Sequence, residues 1–502
     1  MAKSLAAIIP IAQPGIPFAV AFALIRETHR AQKALPVRLP ISSVLRNPQK
    51  RKILRRHKNM HTDTRICASQ PLPPVQKIYT SAAMSITNQV HGPRNPGCLP
   101  GEAPLQAAHL PTSRRRLSNL RPAPALSLSI NVPGVYLSYP FCTQKCTYCN
   151  FSSGVFPRGL EPRYRDALAR EIRAHHFAWT PGTVYLGGGT PSNLAPDALR
   201  ALLRPIPGHP WAEATIEAAP GNIAPVTARA WADAGINRVS LGVQSFVEKE
   251  LRRTGRTHTA QVVSGEIAVL RAAGIHNINI DLIAGLSGQT ETSWRESLDW
   301  VERLAPEHVS VYMLEVDEAS RLGKEMLLGG VRYGALDTPS GDATADFYEL
   351  AVERLAALGI ARYEISNFAR PGLESRHNLK YWKLEPYAGF GADAHSFDGR
   401  TRHQNPESIE DYISGVGQVA GHVASNAAGH IDDVPHHPDE RFFVGLRLTA
   451  GIRPEPEEWR RFDAPIHRFL DAGLLETDGA TLRLTKRGVL LSNEVFQEFL
   501  NL

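Results

Sequence analysis

The chain has 502 residues with 43% apolar and 21% charged side chains and a formal net charge of +7, enough for two or three domains at about 150 residues each. That charge is segregated: residues 1–130 carry 19 Lys+Arg against three acids (Glu27, Asp63 and Glu102), while the remainder carries 37 against 46. A mildly acidic body offers no basic face to a phosphate backbone, which excludes nucleic acid as its expected partner.

The first element in chain order is the basic leader. Residues 1–25 are apolar but interrupted by Pro10, Pro14, Gly15 and Pro17, which suits neither a membrane helix of ~20 residues nor a secretory signal with a small-residue cleavage site. Arg-rich, acid-poor composition fits an organelle transit peptide. It also fits an over-extended start, with the true start near Met84 or later. The expectation is a disordered segment without function, its basic run at 47–58 simply solvated. Cys67 and Cys98 lie here, outside any pattern. The body then has no spare cysteines for a disulfide framework, which fits a reducing, cytoplasmic location. It has no transmembrane segment either.

From Val135 onward, short β-branched runs alternate with helical patterns. Strands are expected at Val135–Tyr139, Thr183–Leu186, Ala214–Ala218, Arg238–Val243, Asn277–Ile283 and His308–Leu314. Apolar residues at i, i+3, i+4 and i+7 predict helices over Pro162–His176, Thr259–Ala273, Glu291–Leu304 and Thr344–Leu358. Regular alternation argues for parallel βαβ units. Six of them make an α/β fold, a partial (β/α)6 barrel with its site at the carboxyl ends of the strands. A further strand is expected at Arg362–Ser366. Helical character resumes at 440–450. The end reads as a helix, a hairpin turning at Asp478-Gly479 and a last helix, a winged-helix-like pattern. The expected domains are the leader 1–130, the barrel 131–400 and a C-terminal helical domain 401–502.

Three of the five cysteines, Cys142, Cys146 and Cys149, sit in one run after the first strand. Three thiolates on a tight loop select zinc, copper(I) or an iron–sulfur cluster. A closed zinc site wants a fourth ligand, and no Cys or His follows at finger-like spacing. The spacing C-x3-C-x2-C resembles the radical S-adenosylmethionine (SAM) superfamily. That resemblance implies a [4Fe–4S] cluster on the three cysteines, with an open iron that chelates SAM.

Other motifs end the later strands. Gly187-Gly-Gly-Thr-Pro-Ser192 allows close backbone approach to a ligand. Glu217 closes the third strand, Gln244 the fourth, and Asp281 lies among apolar neighbours in the fifth, where a charge needs a partner. Arg256 could clamp a carboxylate by paired hydrogen bonds. Segment by segment, residues 133–490 resemble the HemN/HemW family of oxygen-independent coproporphyrinogen III dehydrogenases and their haem-chaperone relatives. The resemblance implies that Tyr136, Gly188, Gly189, Thr190, Glu217, Gln244, Arg256 and Asp281 contact SAM, and Tyr148 in the cysteine loop joins the cofactor-binding candidates. The family commonly reads His-Ile-Pro-Phe-Cys where this chain reads Ser138-Tyr-Pro-Phe-Cys142, so the family's histidine contact is missing.

Two features separate the branches of that family. The dehydrogenases resemble C-x3-C-x2-C-x-C, and here the last position is Phe151. Arg376-His-Asn-Leu-Lys-Tyr-Trp382 contains His-Asn-x-x-Tyr-Trp, a mark of the chaperone branch associated with haem binding. A histidine beside aromatic rings can ligate haem iron while the rings pack on the macrocycle, which makes His377 the first candidate ligand and His395 the second. The expected function is a haem chaperone holding a [4Fe–4S] cluster, SAM and haem, and delivering haem to acceptors such as respiratory membrane proteins. The alternatives are coproporphyrinogen III dehydrogenation and radical SAM chemistry on another substrate.

Overall fold

The computed structural model describes residues 132–417, 434–435 and 439–500. The leader 1–130, with Cys67 and Cys98, lies outside the described residues. Six strands run parallel in sequence order: β1 (Gly134–Tyr139), β2 (Thr183–Gly188), β3 (Glu213–Ala218), β4 (Arg238–Gln244), β5 (Asn277–Ala284) and β6 (His308–Met313). Beyond β6 the sheet continues through the short hairpin β7 (Ala361–Arg362) and β8 (Asn367–Ala369). Beyond β1 it continues through β9 (Tyr387–Phe390), β10 (His395–Phe397), β11 (Thr401–Gln404) and β12 (Val434–Pro435). β9 runs parallel to β1, and β10 and β11 are antiparallel to their neighbours. Among the described residues the two edges are β12 and β7, so the (β/α)6 barrel is partial, as the alternation predicts.

The period of two along each strand decides what lies on either face. Val135, Leu137, Val184, Leu186, Ile216, Val239, Leu241, Ile278, Ile280 and Val309 join one core with the helices. Burying each such side chain contributes about 1.5–3 kcal/mol. The alternate positions face the barrel interior and are largely polar: Thr183, Tyr185, Thr215, Glu217, Ser240, Asn279, Asp281 and Ser310. Register aligns them, with Glu217 opposite Ser240, Ser240 opposite Asn279 and Asp281 opposite Ser310. The interior is therefore a polar chamber.

The helices form where periodicity places them, with ends set by caps. Glu291–Leu304 buries Trp294, Leu298, Val301 and Leu304 and starts from a Thr290/Ser293 capping box. The helix expected from Thr344 begins at Gly341, because the Ser340 side chain accepts the Ala343 N–H. Helices Pro196–Leu203, Pro225–Asp233 and Glu248–Thr254 were not expected. Two of them carry Pro at the first turn, a start signal.

The expected strand 362–366 is corrected. Only Ala361–Arg362 and Asn367–Ala369 are strands, and the turn between them carries Glu364. Its buried carboxylate accepts from Ser366 N–H, Asn367 Nδ2 and Arg447 Nη2, partners a straight strand could not gather. Helical structure at 440–450 is confined to Glu440–Gly445. The hairpin β13 (Leu475–Thr477) and β14 (Leu482–Leu484) turns through Asp478-Gly479, followed by helices Lys486–Leu490 and Ser492–Leu500. Phe442, Phe462 and Phe499 form its aromatic core.

Candidate functional site

The loop that leaves β1 closes on itself. Cys142 N–H donates to Gly154 O at 2.8 Å, and Gly154 N–H donates to Pro140 O at 2.9 Å. Thr147 anchors the far side: its N–H donates to Thr254 O at 3.2 Å, and its carbonyl accepts from Leu322 N–H at 2.8 Å. Lys145 Nζ donates to Phe151 O at 3.1 Å, and Asn150 Nδ2 to Asp317 Oδ2 at 3.1 Å. Within this frame Cys142, Cys146 and Cys149 are free thiols and half-buried. Burial pushes the Cys142 and Cys149 thiols up, while hydrogen bonds from Thr190 and Ser153 act against it at Cys142.

All three cysteines line one cavity of about 220 Å³ at the carboxyl end of the strands. Among the described residues no group of three His, Cys, Asp or Glu side chains is placed to hold a single metal ion. Three thiols bordering one space are a donor set that a thiolate-held cluster takes.

Tyr148, Gly188, Gly189, Thr190, Glu217, Gln244, Arg256 and Asp281 border the same cavity, together with His258, Ser240 and Tyr312. Gly189 is a glycine for a reason additional to ligand approach. A Cβ there would stand 2.7 Å from Pro140 C and 2.8 Å from Phe141 N, both backbone atoms of the cysteine loop. Its N–H donates to Tyr139 O and that of Thr190 to Phe141 O, so the glycine turn is bonded to the root of that loop.

Glu217 accepts from Tyr185 Oη at 2.9 Å and from Gly188 N–H at 3.1 Å. Burial pushes its carboxyl up to about 8, the Tyr185 hydrogen bond opposes this and the Asp281 charge adds to it. Asp281 has the firm partners its sequence position demanded, Asn279 Nδ2 at 2.7 Å and Ser240 Oγ at 3.3 Å. Gln244 sits at φ 71°, a left-handed conformation rare for a side-chain-bearing residue, where the β4–β5 register shifts. Such strain collects at sites that a fold holds rigidly. The Arg256 guanidinium donates to Gly242 O at 2.6 Å and interacts with Cys146 and Tyr148, so it is a cation beside the thiols. Burial, then the Arg256 charge, lower His258 to about 4, and it is neutral at ordinary pH.

Three candidate residues do not border the cavity. Tyr136 is buried in the barrel interior and stacks on Tyr185, with ring centroids 6.1 Å apart. His377, on helix Arg376–Trp382, is fully buried at the amino-terminal end of the strands, where Gly134 pairs with Thr183. Its Nδ1 lies 2.8 Å from Thr183 Oγ1 and its Nε2 lies 2.8 Å from the Tyr381 hydroxyl. In this arrangement both ring nitrogens are hydrogen-bonded. Burial, reinforced by the Lys380 and Arg238 charges, lowers His377 to about 3. His395 is buried too, its ring nitrogens without a hydrogen-bond partner among the described residues. Ser138, at the family's histidine position, is buried and its carbonyl accepts from Tyr164 Oη at 2.7 Å. Sequence reasoning missed Tyr185; its place two residues before the glycine triplet, on the inward face of β2, was the available signal.

Residues 136–301 match the Radical SAM superfamily, and residues 433–491 match the HemN C-terminal domain. The chain is 33% identical over 380 residues to the heme chaperone HemW of Bacillus subtilis, covering 73% of this chain and 98% of that protein. It is 36% identical to the heme chaperone HemW of Mycobacterium tuberculosis, covering 73% of this chain and 94% of the relative. Among solved structures, the radical SAM coproporphyrinogen III oxidase HemN of Escherichia coli has the same fold. Its TM-score is 0.61 at 22% identity, covering 74% of this chain and 90% of that one. The chain belongs to the radical SAM superfamily and, within it, to the HemN/HemW family.

Proposed function

We propose that this member of the HemN/HemW family is a haem chaperone of the cytoplasm. In this reading Cys142, Cys146 and Cys149 hold a [4Fe–4S] cluster, SAM occupies the cavity beside it, and the protein binds haem and hands it to acceptor proteins. The observation that carries the reading is the shared cavity: three cysteines, a glycine turn, and the acidic and amide side chains of β3, β4 and β5 border one space. When bound, the cluster would supply an open iron to which SAM chelates. The chain's own part is to hold and orient. Gly188 and Gly189 put no side chain in the way of a ligand along the wall they share with Thr190, Glu217 and Asp281 offer acceptors to a cationic ligand, and Arg256 balances the thiolates. Phe151 places an apolar ring on the cavity wall where the dehydrogenase pattern has a cysteine, and the His377-to-Trp382 motif favours the chaperone branch.

Haem ligation by His377 requires its Nε2 to leave the Tyr381 hydroxyl, so haem binds to an opened form of the Arg376–Trp382 helix. No helix among the described residues is long and apolar enough to cross a membrane. The expected acceptors include respiratory membrane proteins. Replacing Cys146 by Ala tests the cluster assignment: the reconstituted variant loses its brown colour and its iron and sulfide. Full iron and sulfide content in that variant would refute it.

A further inference from the structure

One side chain connects the cavity wall to the buried motif helix. Tyr185 is 2% exposed on the inward face of β2. Its hydroxyl donates to Glu217 Oε1 at 2.9 Å. Its ring has Tyr136 as one stacking neighbour, at 6.1 Å and 24°, and the His377 imidazole as another, at 5.3 Å and 28°. His377 is itself clamped, by Thr183 and Tyr381 at its ring and by Glu213 Oε1, which accepts its backbone N–H at 2.9 Å. Glu213 also accepts the Arg376 N–H at 2.8 Å, so the start of the motif helix is pinned to β3, the strand that carries Glu217.

We propose that Tyr185 is a positioning residue that aims the Glu217 carboxylate into the SAM cavity, and that His377 fixes the Tyr185 ring. The proposal rests on the reading of Glu217 as a SAM contact. Glu217 Oε1 receives the Tyr185 hydroxyl and Oε2 receives the Gly188 N–H, both donors coming from β2. Losing the hydroxyl leaves Oε1 in a deep cleft without that donor, free to swing toward Asp281 or away from the cavity. A contiguous run of stacked and hydrogen-bonded side chains couples the two sites energetically. A change at the motif helix therefore reaches SAM through Tyr185 rather than through the cysteine loop.

The other groups acting on Glu217 are the Arg238 charge from β4, Asp281 from β5, Tyr136 from β1, Tyr312 from β6 and Tyr381 from the motif helix. The Tyr185 hydrogen bond favours the ionised form of Glu217. Its removal moves Glu217 ionisation to higher pH, and with it the pH at which a cationic ligand is gripped.

The test is calorimetric SAM binding to the anaerobically reconstituted full chain, from neutral to alkaline pH, for the native protein, Tyr185→Phe and His377→Ala. Iron and sulfide content confirms that each variant carries its cluster. Tyr185→Phe, nearly isosteric, weakens SAM about tenfold at the alkaline end of the range, where Glu217 is ionised, a loss of the size expected for a hydrogen bond to a charged group. It also moves the rise of affinity with pH upward. His377→Ala weakens SAM by a smaller factor, and adding Tyr185→Phe to it costs less than the two losses together. Native affinity and a native pH profile in cluster-loaded Tyr185→Phe overturn the proposal. If the native protein itself shows no SAM binding, the underlying site assignment fails instead, and the two failures are told apart.

Discussion

The Tyr381 hydroxyl lies 2.8 Å from Nε2 of His377, one helical turn away, and closes the imidazole that the family motif would offer to haem. If haem binds through His377, that bond is broken first, and its loss is a cost of about 1 kcal/mol. Tyr381→Phe removes the cost in advance and should strengthen haem binding about fivefold in a Soret titration. His377→Ala should lose the ligated spectrum while keeping its cluster. Equal affinity in Tyr381→Phe and native protein would move the ligand away from His377, with His395 the next candidate.

The contact between Gly189 and the Pro140–Phe141 backbone leaves no room for a methyl group. Gly189→Ala must displace the root of the cysteine loop, at a cost of about 1–3 kcal/mol for an overpacked site. The expected outcome is a folded protein, with its far-ultraviolet dichroism retained, that takes up clearly less iron and sulfide on reconstitution. Native cluster content in this variant would show that the loop tolerates the shift.

Glu217 gives a pH dependence with a definite sign. Its folded pKa of about 8 stands above the ordinary 4.5. Between those values the folded protein keeps a proton that the unfolded chain has released, so stability falls as pH rises through that window and levels off above it. Glu217→Gln carries no such loss. Its melting temperature relative to the native protein should therefore rise across the window, on the order of 2–4 °C per kcal/mol recovered. A difference that stays constant with pH would mean that Glu217 is not protonated in the folded state.

How much of this was legible in the sequence follows from what each signal measures. The β-branched runs located the six barrel strands β1 to β6 because those strands bury one complete apolar face, Val135 and Leu137 through Val309 and Val311. The cavity-lining Glu217 and Gln244 at strand ends, and Asp281 within β5, were legible because strand ends and a charge among apolar neighbours are local features. The position of His377 was not local. Its partners Thr183 and Glu213 are more than 160 residues away in sequence, and a motif names residues without saying which end of the barrel receives them. The hairpin at 361–369 was misread for a related reason: Glu364 is turned by Arg447 from the C-terminal region, a long-range pair invisible to periodicity.

The most direct measurement is a paired assay on one anaerobic sample of native, cluster-loaded protein supplied with SAM and a reductant. Haem is titrated into one half, and coproporphyrinogen III is incubated with the other. A haem chaperone gives a saturable Soret change and no protoporphyrinogen, since Phe151 stands where the dehydrogenase pattern has its further cysteine. Protoporphyrinogen accumulating in step with methionine and 5′-deoxyadenosine, without saturable haem binding, would contradict the chaperone reading and establish the dehydrogenase in its place.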